Sequence, residues 1–500
     1  MKVLLHAIAQ VLRPDILIYN LLGVVVGMII GGLPGLSATM GVAILTPLTF
    51  WLQPAQGLAV LLGIYNSAIW AGGISAILIN TPGTPASIAQ TFDGYKLVQK
   101  GKIGLALGIN TIYSVAGGLI STIFLILAAF PIANFALKFG PPEYFALGIF
   151  GLSMMISVSG KQLVKGLIIG VLGLLFSTIG LDPMFSIPRF TFHNVNMMNG
   201  IPFVAAMIGM FGIGEVLFQI TEKRGTKKIV AMTKELGRIF PTFKEFKITA
   251  LPCAISSIIS VIIGAIPGTG GDIASIVCWQ QAKQMSKHPE EFGEGSIEGL
   301  SVTSLANNGV IGGAMTTMMT LGIPGDAVTA VLIGSLMMYG MQPGPQMFLD
   351  HADFVYNIMA LLIVGNLTIL VLGLLTSRLS SYILYVKDEI IWILVVGFCI
   401  LGSFAINNSP FDVMVMILAG ILGFIAKRMD IPVGPFILAL LLGPIVESNF
   451  RRSLALSMGN HLIFFTRPIS LILLILTILS LTYQPITSYL RERKLSKQIQ

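Results

Sequence analysis

Apolar residues run through this chain in blocks far longer than a water-exposed fold carries, and Pro-Gly pairs interrupt several of them. From Ile16 to Phe92 there is no Asp, Glu, Lys, Arg or His. A run of that length supplies about three membrane spans of ~20 residues each. Further apolar segments lie near 103–135, 143–160, 163–181, 200–221, 248–266, 297–322, 327–342, 354–377, 390–406, 411–426, 432–446 and 461–483. Together with segments near 16–33 and 56–80, they predict an all-α polytopic membrane protein with about ten to fourteen transmembrane segments. The stretches 36–52 and 269–282 are short for simple spans and predict re-entrant or broken helices. The first long apolar segment continues into a Pro-Gly motif, so it reads as a retained span rather than a signal peptide.

The interruptions occur in matching pairs. Gly31-Gly32-Leu33-Pro34-Gly35 corresponds to Gly264-Ala265-Ile266-Pro267-Gly268, and Pro82-Gly83 corresponds to Pro324-Gly325. Asn66 and Asn308 each stand 16 residues before the second break of their copy, with Gly72-Gly73 and Gly312-Gly313 between. The chain is thus a duplication with an offset of 233 to 242 residues. Whether the copies run parallel or inverted depends on the number of spans between them; paired broken helices point to inversion and to a binding site at the breaks.

Polar segments divide the rest. Lys223, Arg224, Lys227, Lys228, Lys234, Arg238, Lys244 and Lys247 crowd one interruption, which the positive-inside rule places in the cytoplasm. The reading gives a first transmembrane half over 1–222, a basic linker over 223–247, a second half over 248–485 and a basic tail over 486–500. Asp182, Arg189 and His193 mark a connection expected to face outward. The second copy is longer between break and Asn, 41 residues against 32, and its extra length holds Lys283, Lys287, Glu290, Glu291 and Glu294, which reads as a solvated face.

Composition agrees: 55% of residues are hydrophobic and 10% charged, against roughly 25% charged in soluble domains. The net charge of +8 is spread between apolar spans, which suits cytoplasmic loops better than nucleic acid. Cys253, Cys278 and Cys399 lack metal-like spacing and read as inert thiols. There is no phosphate-cradling loop and no nucleophile elbow. An enzyme is therefore not expected, and no cofactor. A membrane-embedded enzyme would need a paired catalytic set within the spans, and a passive channel offers no reason for duplicated breaks.

A Pro-Gly inside a span frees backbone groups, which are tolerated only against protein or a watery cavity. Freed helix N-termini favour anions, and freed carbonyls favour cations. A kink relieved by neighbouring hydroxyls is the simpler alternative for any single break. The candidate substrate-binding residues are Gly35, Ser37, Asn66, Thr81, Gly83, Thr84, Thr269, Gly270, Asn307, Asn308 and Gly325. Asp272 is the lone acid of 248–282 and Asp326 that of 299–349. An acid in an apolar segment points to function. Two compatible roles fit both: coupling to Na⁺ or H⁺, or capping the helix that follows. The four tips, near Gly35, Gly83, Gly268 and Gly325, are expected around one cavity near the membrane midplane.

These residues resemble the large transmembrane (permease) subunit of the tripartite tricarboxylate transporter family. The likeness rests on Gly32-Leu33-Pro34-Gly35 and Leu45-Thr46-Pro47-Leu48-Thr49-Phe50, then on Asn80-Thr81-Pro82-Gly83-Thr84-Pro85-Ala86-Ser87 and Thr91-Phe92-Asp93-Gly94-Tyr95. Arg189-Phe190-Thr191-Phe192, Gly212-Ile213-Gly214-Glu215, Pro267-Gly268-Thr269-Gly270-Gly271-Asp272, Ala306-Asn307-Asn308 and Leu321-Gly322-Ile323-Pro324-Gly325-Asp326 extend it over about residues 15 to 480. The family usually carries an acid shortly before the Asn pair, where this chain has Ser304. The resemblance implies secondary, cation-coupled uptake of an organic anion such as a di- or tricarboxylate across the inner cell membrane, with Na⁺ or H⁺ as the coupling ion. It also implies two partners, a small four-span membrane subunit and an extracytoplasmic solute-binding protein.

Overall fold

The Pro-Gly breaks become helix ends buried inside a bundle. A computed structural model describes residues 2–158, 162–221, 237–376 and 388–482; most of the basic linker and the whole tail lie outside them. After α1 (Lys2–Val11), α2 (Pro14–Gly32) runs inward to the first break and α3 (Ala38–Thr49) returns beside it. Gly35 makes the turn at φ 92°, a left-handed conformation that glycine alone adopts without strain. Ser37 then caps α3 by accepting the N–H of Met40 at 3.1 Å. The long helix α4 (Pro54–Ile79) follows, then the second break, α5 (Gln90–Gln99) and α6 (Ile103–Ala136).

The second copy repeats this plan. Helix α11 (Phe243–Ala265) reaches a turn at Gly268, φ 82°, and α12 (Gly270–Met285) returns; α13 (Ile297–Leu321) ends at Gly322, φ 72°, and α14 (Ala327–Met338) follows. Between the copies stand α7 (Pro141–Val158), α8 (Leu163–Ser177), and the pair α9 (Phe203–Ile208) and α10 (Gly214–Thr221), joined by a π-helical turn. Beyond α14 come α15 (Met347–Asp350), α16 (Ala352–Leu375), α17 (Asp388–Asn407), α18 (Pro410–Arg428), α19 (Gly434–Leu456) and α20 (Ile463–Thr466). Seven helices are long and apolar enough to cross a membrane among the described residues: α2, α4, α6, α9–α10, α11, α16 and α18.

Close packing fixes the direction of each helix. Gly23, Gly27 and Gly31 of α2 lie against Val60, Ile64 and Ala68 of α4, so these two helices run parallel. Gly264 of α11 lies against Val310, and Gly313 of α13 against Val261 and Ala265, so α11 and α13 also run parallel. One small-residue contact is exchanged between the copies: Gly27 faces Ser67 in the first, Ser260 faces Gly309 in the second. Between copies the direction reverses. Asn308 bonds to Asn66, Asn307 to Ile69, and Leu300 meets Ile77 across Gly94, so α4 and α13 cross antiparallel at equivalent asparagines. The duplication is therefore inverted. Helix α6 lies along α13 and α16 along α4, so each copy also packs on the other's centre.

The bundle is apolar outside, and inside it glycines and buried polar groups are set among apolar side chains, the packing expected where lipid is as oily as a core. On α8, Val164, Ile168, Val171 and Leu175 are exposed, while Gly166, Gly170 and Gly173 are buried. Almost every residue of α4 from Gly57 and of α13 from Gly299 is buried.

Two expected spans differ. The segment 327–342 is a half-helix: α14 stops at Met338 because Gly340 turns at φ 74° and the Pro343-Gly344-Pro345 run cannot continue it. The segment 461–483 is split at Arg467 by Pro468 into α20 and a helix Pro468–Thr482. The charged insertion of the second copy is fastened rather than loose. Asp93 Oδ1 accepts the N–H groups of Gly293, Gly295 and Ser296 at 2.7–3.0 Å, and its Oδ2 accepts Trp279 Nε1 at 2.7 Å.

A Cβ at Gly31 or Gly264 would overlap the carbonyl oxygen of the facing helix, whereas one at Gly397 meets nothing within 4 Å. Helix propensity alone favours Ala over Gly by about 1 kcal/mol. Overpacking costs typically about 1–3 kcal/mol and reverses that sign. Gly31→Ala and Gly264→Ala should lower the thermal unfolding midpoint in detergent, and Gly397→Ala should not. Equal midpoints for all three would show that the helices do not meet as closely as described.

Candidate functional site

Both breaks of each copy touch. In the first, the N–H of Gly83 donates to Gly72 O at 3.1 Å, and a Cβ at Gly83 would overlap Gly31 O. In the second, the N–H of Gly268 donates to Gly325 O at 2.7 Å, and Gly325 lies against Gly264 O and Ala314. The equivalent positions make equivalent contacts, which is how unpaired backbone is made tolerable inside an apolar bundle.

The copies then meet at the antiparallel crossing. Asn308 Nδ2 donates to Asn66 O at 3.0 Å and Asn307 Nδ2 to Ile69 O at 3.1 Å. Tyr65 donates its hydroxyl to Asp326 Oδ2 at 2.6 Å. Ser275 Oγ donates to Ala86 O at 3.2 Å, and Gly271 packs on the Ala86 methyl, so the second break of one copy abuts the first break of the other. One pair of positions bonds twice by inversion: Thr46 with Ser335 at 2.8 Å, and Trp279 with Asp93.

The candidate residues fare differently. Ser37 caps α3. Asp326 caps α14, its Oδ1 accepting Thr329 N at 2.8 Å and Thr329 Oγ1 at 2.7 Å. Asp272 is half-buried in the first turn of α12; a Cβ at Gly270 would lie 2.9 Å from its Oδ1 and 4.0 Å from Asp326 Cβ, so both acids converge on Gly270. Thr269 donates to Ile266 O at 2.8 Å and closes the end of α11. Gly35 O accepts Gln219 Nε2 at 2.9 Å. Thr81 faces outward, its hydroxyl 3.3 Å from Ile79 O. The central amides are buried with polar atoms unpaired: both side-chain atoms of Asn66, and Oδ1 of Asn307 and Asn308. Thr84 Oγ1 and Gln90 Oε1 are likewise unpaired. Buried polar atoms are normally hydrogen-bonded, so this cluster calls for a functional account.

Tyr65, Gln90 and Asp93 were not among the residues singled out for the site. Their signal was present: Tyr65 adjoins Asn66, and Gln90 and Asp93 follow the second break of the first copy, but only the antiparallel crossing brings Tyr65 to Asp326.

Two cavities open at the end of the bundle away from the linker. One, of about 290 Å³, is lined by Tyr144, Gln342, Gln346, Asn449 and Arg452 and reaches Leu321, Gly322 and Ile323 at the break before Asp326. Gly35, Gly83 and Gly268 do not line it. The other, of about 340 Å³, lies beside the 180–201 connection and is lined by Arg189, Asn199 and Glu447. There Arg189 binds Glu447 through two bonds of 2.6 and 3.0 Å, and Arg451 Nη1 donates to Asp182 Oδ2 at 2.6 Å.

An inverted duplication whose helices end inside a polytopic bundle defines a membrane protein organised like a carrier. The chain belongs to the tripartite tricarboxylate transporter TctA family, whose description matches residues 17–438. An uncharacterized 52.8 kDa protein of the TAR-I ttuC' 3' region of Agrobacterium vitis is 36% identical over 463 residues, covering 93% of this chain and 92% of the relative. An uncharacterized protein of the TAR-II ttuC' 3' region of the same organism is 34% identical over 213 residues, 43% of this chain and 88% of the relative. No solved structure matches. The family and the apolar helices make this a multi-pass cell-membrane protein.

The 180–201 connection should respond to pH. The N–H of Phe185, joined by that of Met184 and by Arg451, holds the Asp182 carboxyl below the usual carboxylate range. A depressed folded-state pKa adds stability above the unfolded value of about 3.9 and loses it as pH falls through the lower folded value. Proteolytic nicking of this connection should stay constant from about pH 7 to 5 and rise below about 4. Asp182→Asn should flatten that profile. A transition centred near pH 6 would contradict this account.

Proposed function

We propose that the chain is the permease of a secondary transporter that takes up a small organic carboxylate, driven by a cation gradient. The observation that carries this reading is that α3 and α12 begin at the breaks, in the interior rather than at a surface. A helix N-terminus presents unpaired N–H groups and the positive end of a dipole, which suits an anion. The carboxylate then needs no fixed positive charge in the apolar interior. The cavity reaching Ile323 opens beside the second break of the second copy, and Arg452 attracts the anion at its mouth. With a volume of about 290 Å³ it suits a small acid rather than a larger ligand.

In this reading the basic linker end is cytoplasmic, and the cavities face outward toward a solute-binding protein. A small membrane subunit completes the assembly, as the family's tripartite description suggests. Asp326 serves as cap and inter-copy bond. Asp272, beside it, lies in the first turn of α12, where its carboxyl accepts backbone N–H groups of that turn.

Uptake of labelled di- and tricarboxylates into vesicles holding the complete transporter tests the proposal. An inward Na⁺ or H⁺ gradient should stimulate uptake of at least one of them. Arg452→Gln should raise the half-saturating carboxylate concentration several-fold with little change in maximal rate. Uptake that ignores both gradients, or no uptake of any carboxylate, would overturn the reading.

A further inference from the structure

The equivalent turns at Gly35 and Gly268 are fastened in different ways. In the second copy backbone meets backbone: the N–H of Gly268 is bonded to Gly325 O, and a Cβ at Gly268 would lie 2.7 Å from Met155 Cα. In the first copy a side chain from α10, which stands between the copies, reaches in. Gln219 Nε2 donates to Gly35 O at 2.9 Å, and Gln219 is buried. Gly35 O belongs to the turn that leads into α3, two residues before the Ser37 cap.

Gln219 is itself held. The same Nε2 donates to Glu215 Oε1 at 2.5 Å, one turn back on α10, and Glu215 is ion-paired with Lys427 near the end of α18. Both partners of Nε2 are acceptors, so the amide can face only one way. Lys427 Nζ also lies 5.7 Å from the centre of the Phe218 ring. Glycines bring the two helices together: Gly214 lies against Gly420 and Gly423, and Gly423 against Met210. The π-helical turn Gly209–Ile213 stands directly before Gly214, an irregularity that often marks a functional site. The Gly212-Ile213-Gly214-Glu215 motif thus supplies the anchor of the series. Helices α10 and α18 end side by side, at Thr221 and Arg428, and the basic linker follows Thr221. Lys427, Glu215, Gln219 and Gly35 therefore form a series from the linker end of the bundle to the first turn. The cavity beside Ile323 opens at the other end.

We propose that Gln219, aligned by Glu215 and Lys427, is a positioning residue that holds the first turn closed toward the linker end, and that its release opens the start of α3 to that side. This rests on the carrier reading above and adds the element that moves. A bond from one side-chain amide is broken by turning that side chain, whereas the backbone contact at Gly268 yields only if a helix shifts. The first turn is thus the one that can open locally. The ion pair aligns the amide without touching the turn. Removing Lys427 alone would leave the Glu215 carboxylate without its partner, which is costly away from water. The distinct role of Gln219 is therefore separable from that of the pair.

The test uses vesicles holding the complete transporter, with Ser37→Cys as reporter and a membrane-impermeant thiol reagent added at one face at a time. With Gln219 in place, labelling from the linker face should be the slower. Gln219→Met keeps the length of the side chain and removes the donor. It should speed labelling from the linker face roughly tenfold, the scale of one lost buried hydrogen bond, and not from the opposite face. Glu215→Gln combined with Lys427→Met keeps an acceptor for Gln219 and leaves no unpaired charge, so it should label at the original rates. If Gln219→Met is not recovered from the membrane, Glu215→Ala removes the acceptor that aligns Gln219 and must shift the same face. Three results overturn the proposal: fast labelling from the linker face with Gln219 in place, original rates in Gln219→Met, or a rise from both faces alike with a lowered unfolding midpoint, as a merely structural role predicts. A face-selective rise with no protection by any carboxylate sustains the role of Gln219 and overturns the carboxylate reading instead.

Discussion

Ending a helix inside a membrane is the constraint on which this structure depends. Each break frees N–H and C=O groups that lipid cannot satisfy. Here the remedy is close approach: glycines at 31, 83, 264 and 325 let backbone meet backbone, and Ser37 and Asp326 each cap one N–H at the start of α3 and of α14. The result is a pair of helix N-termini placed where a bilayer would otherwise present only hydrocarbon. The antiparallel crossing at Asn66 and Asn308 follows, because it brings the breaks of one copy against those of the other.

Inversion gives the molecule two half-sites of the same backbone and different chemistry. The second copy commits its carboxylate to Thr329 and Tyr65, while the first leaves neutral oxygens unpaired. A symmetric backbone with asymmetric side chains can bind two unlike solutes while retaining two related arrangements. Asp93 shows the same economy at the linker end: where the inverted position carries Ser335 bonded to Thr46, a carboxylate instead anchors the longer loop of the second copy.

Much of this was legible in the sequence. The Pro-Gly pairs and the 16-residue spacing to Asn66 and Asn308 gave the duplication, and absent charge gave the membrane. Re-entrant helices over 36–52 and 269–282 follow from length alone, and α3 and α12 fill those places. What stayed hidden was pairing across the crossing. Tyr65 beside Asn66 gives no sign of a carboxylate partner until α13 runs antiparallel to α4. Asp93 stands in the sequence only as part of a motif, because its partners at 293–296 are backbone N–H groups, which no residue type announces. Asp326 carried both roles in the sequence, and only its three donors separate cap from free acid. The 327–342 segment misled because hydropathy does not register the turn at Gly340.

The central claim is that a carboxylate rests against the interior helix starts. Cys253, Cys278 and Cys399 are buried, so a cysteine introduced at half-buried Ser37 would be the reactive thiol of interest. The most direct measurement is labelling of Ser37→Cys by a small charged thiol reagent, in protein that still takes up its carboxylate, with and without that carboxylate. Protection that saturates at the concentration that half-saturates uptake is the predicted result. Labelling that proceeds at the same rate at every carboxylate concentration would contradict the account.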